Sequence, residues 1–284
     1  MIRSRQTTLA QPTTISGPTL FGADHASCTL APADAGTGIV FQHAGSRIPA
    51  RADRITTRPV HPAFERLPPR CTGLASPDDT AAVWTVEHVL SALAGLGVRN
   101  ALVTLDAPEP PILDGSALGY AHAIRSAGIV ELDAPLDPIV IESPMRFGDD
   151  DASIELTPGP RPSCTYTIDY GDRSPIPRAT ASWDADPDDY AKRVAPARTF
   201  CLESEAQAMR ALGLFTHLTE RDMLVMGDDG PIDNELRDPH ECALHKLLDL
   251  IGDLALAGAP IVGEIHAHKS GHALAHDAAR ALAK

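Results

Sequence analysis

Hydrophobic and polar positions follow a similar order in the two halves of the chain. Strand-like segments come first, and a mostly apolar helix, one further strand and a final helix follow. In the first half the strands fall at residues 28–30, 38–41 and 100–105, and the helices at about 84–97 and 116–127. In the second half the strands fall at residues 139–142, 152–156, 164–169 and 261–267, and the helices at about 203–212, 243–254 and 273–284. The pattern predicts an α+β fold made of two similar domains, each with helices packed on a β-sheet.

The segment at residues 131–137 is acidic and rich in turn-forming residues, so it is the best candidate for a domain boundary. We expect an N-terminal domain at residues 1–133, with an irregular, proline-rich insert at about 51–79. The C-terminal domain then covers residues 134–284, with a second insert at about 198–230. The similarity between the halves lies in the order of elements rather than in the residues themselves.

Composition narrows the class of function. The 284 residues include 38 acidic and 24 basic side chains, giving a formal net charge of −14. This balance argues against binding nucleic acid or an anionic membrane. The five cysteines are scattered without CxxC spacing, and no apolar run approaches the length of a membrane span. We expect a monomeric cytoplasmic protein without stable membrane insertion and with a small molecule as its partner.

The helix at residues 243–254 carries ionisable side chains among apolar ones. His245, Asp249 and Asp253 are spaced four residues apart, so they project from one helical face. Burying such groups is unfavourable unless something compensates them, and a zinc ion bound by imidazole and carboxylate does so. The alternative is a helix with a solvated polar edge. On the metal hypothesis, a third ligand must come from another part of the chain.

Glu87 and His88, near the start of the first long helix, offer that ligand. Adjacent helical residues point about 100° apart, so both cannot face one ion squarely. A histidine that binds zinc beside a glutamate that handles the attacking water fits a zinc hydrolase. Thr85 is the candidate N-cap of this helix. The alternative is that Glu87 and His88 are surface residues of an amphipathic helix.

Other polar residues are ambiguous. His266 and His268 alternate along a predicted strand and share one face, but alternation alone is weak support for a metal pair, so we interpret them as structural or peripheral. Asp114 follows a rigid proline-rich turn and is interpreted as a carboxylate that binds backbone N–H groups. Lys269 and His272 lie where the last strand meets the last helix, a position where loops hold functional groups.

Five short motifs, in order, carry a resemblance to a known family. They are Thr85-Val-Glu-His88, Pro111-Ile-Leu-Asp-Gly-Ser-Ala117, Ala197-Arg-Thr-Phe200, His245-Lys-x-x-Asp-x-x-Gly-Asp253 and Lys269-Ser-Gly-His-Ala-Leu274. Together they resemble the zinc-dependent UDP-3-O-acyl-N-acetylglucosamine deacetylase family, which catalyses the committed step of lipid A synthesis. The resemblance runs from about residue 8 to 284. It implies two α+β domains facing each other across the active site, and hydrolysis of the substrate acetamide to acetate and a free amine.

The resemblance also implies roles for particular residues. The zinc ligands fall on His88, His245 and Asp249, and the general base falls on Glu87. His272 corresponds to the histidine across the site, Asp253 to the carboxylate that orients it, and Thr199 to the hydroxyl near the oxyanion. The positions associated with the nucleotide sugar are Lys246, Lys269, Asp169 and Tyr170. Candidates for an apolar groove that takes the acyl chain are Leu202, Met209, Leu212, Leu214 and Phe215.

The chain departs from the family pattern at three segments. A Gly-x-Gly-Leu-His type of turn is replaced by Gly17-Pro-Thr-Leu-Phe21, and the segments at 215–222 and 236–242 also differ. These changes leave the zinc chemistry intact but put the acyl chain and the head group in doubt. Two alternatives therefore stay open: a deacetylase of another acylated amino sugar, and a non-catalytic relative that binds a UDP-sugar.

Overall fold

The structure is a computed structural model that describes residues 4–22, 25–65, 70–220 and 222–283. Residues 66–69 of the predicted first insert and the extreme ends of the two predicted domains lie outside this part. Within it the α-helices are α1 (Glu87–Gly95), α2 (Leu118–Ala127), α3 (Pro187–Asp189), α4 (Glu203–Ala211), α5 (Glu241–Leu254) and α6 (His272–Leu282). None of the described helices is both long and apolar enough to cross a bilayer.

The first half of the chain builds a five-stranded sheet. Its strands and their neighbours are β1 (Arg5–Leu9), β2 (Thr13–Gly17), β3 (Ala26–Pro32), β4 (Ile39–His43), β5 (Ser46–Pro49), β6 (Leu74–Ala75), β7 (Ala82–Val83), β8 (Ala101–Leu105) and β9 (Ile129–Pro135). The five-stranded sheet has the order β2-β3-β8-β4-β5. β1 pairs with β9, and β6 pairs with β7. Buried side chains alternate along β3 and β8, which is typical of strands with one face against a core.

A second five-stranded sheet lies in the other half. The remaining strands are β10 (Ile139–Val140), β11 (Met145–Gly148), β12 (Ser153–Thr157), β13 (Ser163–Ile168), β14 (Ala179–Trp183), β15 (Phe200–Leu202), β16 (Leu224–Gly227), β17 (Gly230–Pro231), β18 (Ile261–Val262) and β19 (Glu264–His268). The five-stranded sheet has the order β11-β12-β19-β13-β14, and β15, β16 and β17 form a small sheet of their own.

The two large sheets have the same topology. In each, the last strand in the sequence lies between the second and the third, and it pairs in parallel with the third. All other neighbours in both sheets are antiparallel. In each half a helix (α1 or α5) precedes the inserted strand and another (α2 or α6) follows it. The predicted α+β class is therefore confirmed, whereas the domain boundary after residue 133 stays a prediction.

Helices α1 and α5 pack against each other, and this contact joins the halves into one hydrophobic core. The two helices are in close contact at Gly252, where a Cβ atom would overlap the backbone carbonyl of Glu87. Only glycine permits this approach. Because Gly252 lies between Asp249 and Asp253 on α5, the crossing brings the polar face of α5 against the first turn of α1.

Two local predictions are wrong. Thr85 is not the N-cap of α1, because it has a left-handed conformation (φ +56°) and its hydroxyl donates to Glu109 Oε2 at 3.2 Å. The helix begins at Glu87, and no side chain among the described residues caps it. The predicted strand at 261–267 is divided into β18 and β19 at Gly263, whose φ of +151° departs from that of a regular strand. A side chain at this position would press on Ile141.

Candidate active site

Three buried side chains from the two central helices converge on one point. His88 comes from α1, and His245 and Asp249 come from successive turns of α5. The Nε2 atoms of His88 and His245 lie 3.6 and 3.4 Å from Asp249 Oδ1. One donor atom from each residue lies within 4.8 Å of the others. The structure thus brings together the three residues that were predicted from the sequence to be metal ligands.

The donor atoms fit a metal ion. Nitrogen and oxygen ligands about 2.0–2.1 Å from a tetrahedral zinc ion stand roughly 3.4 Å apart. The measured separations of 3.4 and 3.6 Å agree with this value. Burial lowers the pKa of His245 to about 4, so its ring is neutral and able to bind a cation. Three protein ligands are the number that catalytic zinc sites use.

His245 and Asp249, the two members of the cluster on α5, are each held by a second group. The Nδ1 atom of His245 donates to the carbonyl of Ala197 at 3.0 Å, which leaves Nε2 facing Asp249. Asp249 accepts from Lys246 Nζ through its other oxygen, Oδ2, at 2.8 Å. Burial opposes ionisation of Asp249, but Lys246 and His245 hold its pKa well below the usual range. Lys246, which was predicted to bind the nucleotide sugar, therefore contacts Asp249 of the buried cluster in this structure.

The segment that supplies the Ala197 carbonyl is anchored to the start of α5. Arg198 is buried and its Nε donates to Glu241 Oε1 at 2.8 Å. The same guanidinium donates to Asn234 Oδ1 at 2.8 Å. An ion pair this deeply buried fixes the position of the backbone on both sides of Arg198. The neighbouring Thr199 is half-buried and its N–H donates to the carbonyl of Gly115 at 2.7 Å.

Glu87 lies buried beside His88, in the first turn of α1. Its Oε2 accepts the backbone N–H of Thr72 at 3.0 Å. Burial raises the pKa of the Glu87 carboxyl, although His272 and His88 oppose this effect. A carboxylate whose pKa lies nearer neutrality is a more effective proton acceptor than an exposed one.

A buried histidine–aspartate pair stands across from Glu87. His272, the first residue of α6, donates from Nδ1 to Asp253 Oδ2 at 2.8 Å. Burial alone would lower the pKa of His272, but the charge and hydrogen bond of Asp253 raise it to about 9. His272 is therefore a cation at neutral pH.

Thr72 and His276 complete this network, and neither was predicted from the sequence. The hydroxyl of Thr72 donates to Asp253 Oδ1 at 2.5 Å, and His276 Nε2 lies 2.8 Å from the same hydroxyl oxygen. His276 could have been found, because it follows His272 by one helical turn. Thr72 gave no signal, because it lies outside any periodic segment.

Tyr170, one of the residues predicted to bind the nucleotide sugar, begins a row of aromatic rings that ends at His245. The ring of Tyr170 is half exposed and lies 6.3 Å from the ring of Phe200, which lies 6.1 Å from the ring of His245. Lys269 and Asp169 directly follow the paired strands β19 and β13. In this structure Lys269 Nζ contacts Asp151 at 2.5 Å. The aromatic row thus runs from the surface to the buried cluster.

A mostly apolar cavity lies next to Thr199. Its lining includes Met209 and Phe215, which were predicted to line the acyl groove. Phe21, from the turn at residues 17–21 that departs from the family pattern, also lines it. The rings of Phe21 and Phe215 are 5.2 Å apart. Among the described residues, the nominated Leu202, Leu212 and Leu214 do not line this cavity. Leu214 is buried and Leu212 is 60% exposed, so contact of these leucines with an acyl chain stays a prediction.

The residues interpreted as structural lie outside this cluster. Asp114 Oδ1 accepts from the N–H and the hydroxyl of Ser116, and its Oδ2 accepts from Arg237 at 2.7 Å. The side chain of His266 is 54% exposed on β19, and its Nε2 lies 3.9 Å from Glu264. Neither residue contributes to the His88, His245 and Asp249 cluster.

The fold and the site together define a class of protein. Two α+β units of equal topology enclose a His-His-Asp cluster, and a buried carboxylate and a cationic histidine flank it. These are the components of a metal-dependent hydrolase, in which a base and an acid act beside a Lewis acid.

Comparison with known proteins identifies the family. A family model described as UDP-3-O-acyl N-acetylglycosamine deacetylase matches residues 6–284. The chain is 40% identical over 257 residues to the UDP-3-O-acyl-N-acetylglucosamine deacetylase of Acidithiobacillus ferrooxidans, covering 89% of this chain and 81% of that protein. It is 34% identical over 281 residues to the protein of that name from Brucella melitensis, covering 98% and 94% of the two chains. It is also 34% identical over 280 residues to the one from Myxococcus xanthus, covering 97% and 85%.

The chain belongs to the UDP-3-O-acyl N-acetylglycosamine deacetylase family. The resemblance drawn from five short motifs is confirmed, and so is the prediction of an enzyme, because the members of this family are deacetylases. The family is one of metalloenzymes, in agreement with the buried cluster of two histidines and an aspartate.

Proposed function

We propose that this protein hydrolyses the acetamide of UDP-3-O-acyl-N-acetylglucosamine, with zinc bound by His88, His245 and Asp249. The products are acetate and UDP-3-O-acyl-glucosamine, and the reaction is the committed step of lipid A synthesis. The observation that carries the proposal is the convergence of those ligands with Glu87 and the His272–Asp253 pair. The relatives that match nearly the whole chain bear the name of this activity.

The choice of zinc rests on the donor set. Neutral imidazole nitrogen and carboxylate oxygen, three protein ligands in all, are typical of catalytic zinc. When bound, a zinc ion supplies Lewis acidity that polarises a carbonyl oxygen and makes water more acidic near neutral pH. His245 and Asp249 are held in their ligand geometry by the Ala197 carbonyl and by Lys246.

Glu87 and His272 divide the proton transfers between them. Glu87 accepts a proton at its free carboxylate oxygen from the water that attacks the acetamide carbon, because Oε2 is occupied by the Thr72 N–H. His272 carries its proton at Nε2 and delivers it to the amine that leaves, because Asp253 keeps the ring cationic. The Thr199 hydroxyl donates to the carbonyl oxygen as negative charge develops on it.

The remaining nominated residues bind the substrate. Tyr170 packs its exposed ring on the uracil, and Lys269, Asp169 and Lys246 contact the nucleotide sugar. This assignment is supported by the aromatic row from Tyr170 through Phe200 to His245. We place the acyl chain in the cavity lined by Met209 and Phe215. We also expect the enzyme to act as a cytoplasmic monomer.

The test combines activity with metal analysis. Purified protein should release acetate from UDP-3-O-acyl-N-acetylglucosamine and contain one equivalent of zinc by elemental analysis. Chelation should abolish the activity, and one equivalent of zinc should restore it. A protein that retains full activity after complete loss of metal would refute the assignment of the cluster.

One observation favours a second candidate, a deacetylase of a differently acylated amino sugar. Phe21 stands where the family favours histidine, and its ring contributes to the wall of the cavity. A series of UDP-sugars with acyl chains from two to eighteen carbons separates the candidates. A preference for very short or branched chains would favour the second one.

A further inference from the structure

Thr72 contacts both Glu87, the proposed base, and Asp253, the partner of the proposed acid His272. Its backbone N–H donates to Glu87 Oε2 at 3.0 Å, and its hydroxyl donates to Asp253 Oδ1 at 2.5 Å. The residue is fully buried. A single residue therefore joins the first turn of α1, which carries the base, to the last turn of α5, which carries the partner of His272.

The direction of the hydrogen bonds around Thr72 follows from the charges. The ionised Asp253 can only accept, so the single hydroxyl hydrogen of Thr72 points to it. The lone pairs of the Thr72 oxygen then face His276 Nε2 at 2.8 Å, and this nitrogen must be the donor. His276 is buried in α6 one turn beyond His272, and the two rings are 6.2 Å apart.

We propose that Thr72 and His276 are positioning residues. His276 carries its proton on Nε2 and donates it to the Thr72 hydroxyl oxygen, which keeps the hydroxyl hydrogen directed at Asp253. These hydrogen bonds hold Asp253 against His272, and the Thr72 N–H holds Glu87 in place. The proposed base, Glu87, and the proposed acid, His272, therefore keep a constant separation. The kinetic part of this proposal rests on the proposed deacetylase function. The hydrogen-bond chain itself does not.

Substitutions at Thr72 test the kinetic consequence. Thr72→Val removes the hydroxyl but keeps the shape and the N–H, and we expect kcat to fall on the order of tenfold with KM unchanged within about twofold. Thr72→Ser restores the hydroxyl and should recover most of kcat. Thr57→Val, at an exposed threonine of the same region, is the matched control and should behave as wild type. Equal kcat in Thr72→Val and wild type, or equal losses in the valine and serine variants, would overturn the proposal.

The protonation of His276 can be measured without substrate. In zinc-loaded protein labelled with ¹⁵N-histidine, NMR should show a proton on Nε2 of His276 that exchanges slowly, and Thr72→Val should shift its resonance. A bare Nε2 in the wild type would overturn the proposal. This experiment keeps its force if the protein shows no deacetylase activity, which would refute the proposed function instead.

If Thr72→Val fails to fold, two variants of His276 test the same hydrogen bond from its other end. His276→Gln can present an N–H near the position of Nε2, whereas His276→Leu cannot. We expect His276→Leu to lower kcat about threefold or more with little change in KM, and His276→Gln to recover part of the loss. Identical kinetics in the two variants would contradict a role for the Nε2 donor.

Discussion

Replacing Asp253 with asparagine isolates the electrostatic role that the structure assigns to this carboxylate. Asp253→Asn keeps the size of the side chain but removes the charge that faces His272 at 2.8 Å. With the carboxylate present, the pKa of His272 is raised from 6.5 to about 9. Without it, burial is the largest effect and lowers the pKa of His272 together with Lys246, opposed by the charge of Glu87, so the pKa should fall below 6.5.

The magnitude follows from the two pKa values. At pH 7.5 a histidine with a pKa of about 9 is about 97% protonated, whereas one with a pKa of 6.5 is roughly 9% protonated. Loss of the cation alone should therefore lower the rate at least about tenfold at this pH. The difference between 6.5 and about 9 corresponds to roughly 3 kcal/mol of folding free energy. Because the folded-state pKa is the higher one, this stability is fully present below pH 6.5 and is lost as the pH rises to about 9.

The assay is kcat/KM from pH 5.5 to 10, with unfolding in urea over the same range. The wild type should lose activity in an alkaline limb near pH 9, and Asp253→Asn should show that limb below pH 6.5. Asp277→Asn removes an exposed carboxylate from α6 and should leave the limb in place. An unshifted limb in Asp253→Asn would refute the assignment of the cation to His272.

Three further predictions concern other parts of the site. Glu87→Ala should keep its zinc by elemental analysis yet lose on the order of 10²–10⁴ in kcat; wild-type turnover would remove Glu87 from the mechanism. Met209→Asp should raise KM selectively for long-chain substrates, because it places a charge in the apolar cavity. Ala208→Asp, at an exposed position of the same helix outside the cavity lining, serves as its control. An equal loss for short and long chains would argue against the cavity. Arg198→Met leaves the buried carboxylate of Glu241 without its ion-pair partner, and it should lower the unfolding free energy by about 3–5 kcal/mol in urea titrations. Arg125→Met, at an exposed ion pair, is the control and should lower it by under about 1 kcal/mol. A small effect at Arg198 would show that the pair is not needed for stability.

Local spacing in the sequence determined much of the site. A helix places side chains four residues apart on one face whatever surrounds it, so His245, Asp249 and Asp253 were identifiable as a group. For the same reason, the adjacency of Glu87 and His88 predicted that the two side chains point in different directions. The hydrophobic pattern also gave the order of strands and helices in each half, which the α+β structure confirms.

Only the tertiary structure decided which distant groups meet. His88 reaches Asp249 because α1 crosses α5 at Gly252, a contact that depends on the packing of two helices far apart in the chain. Thr72 lies in an irregular segment whose path no periodicity fixes, yet it contacts Glu87 and Asp253. The common order of the two sheets is likewise a matter of long-range pairing. Sequence spacing fixes the direction of a side chain within its own element, whereas the partner it meets is selected by packing complementarity across the whole core.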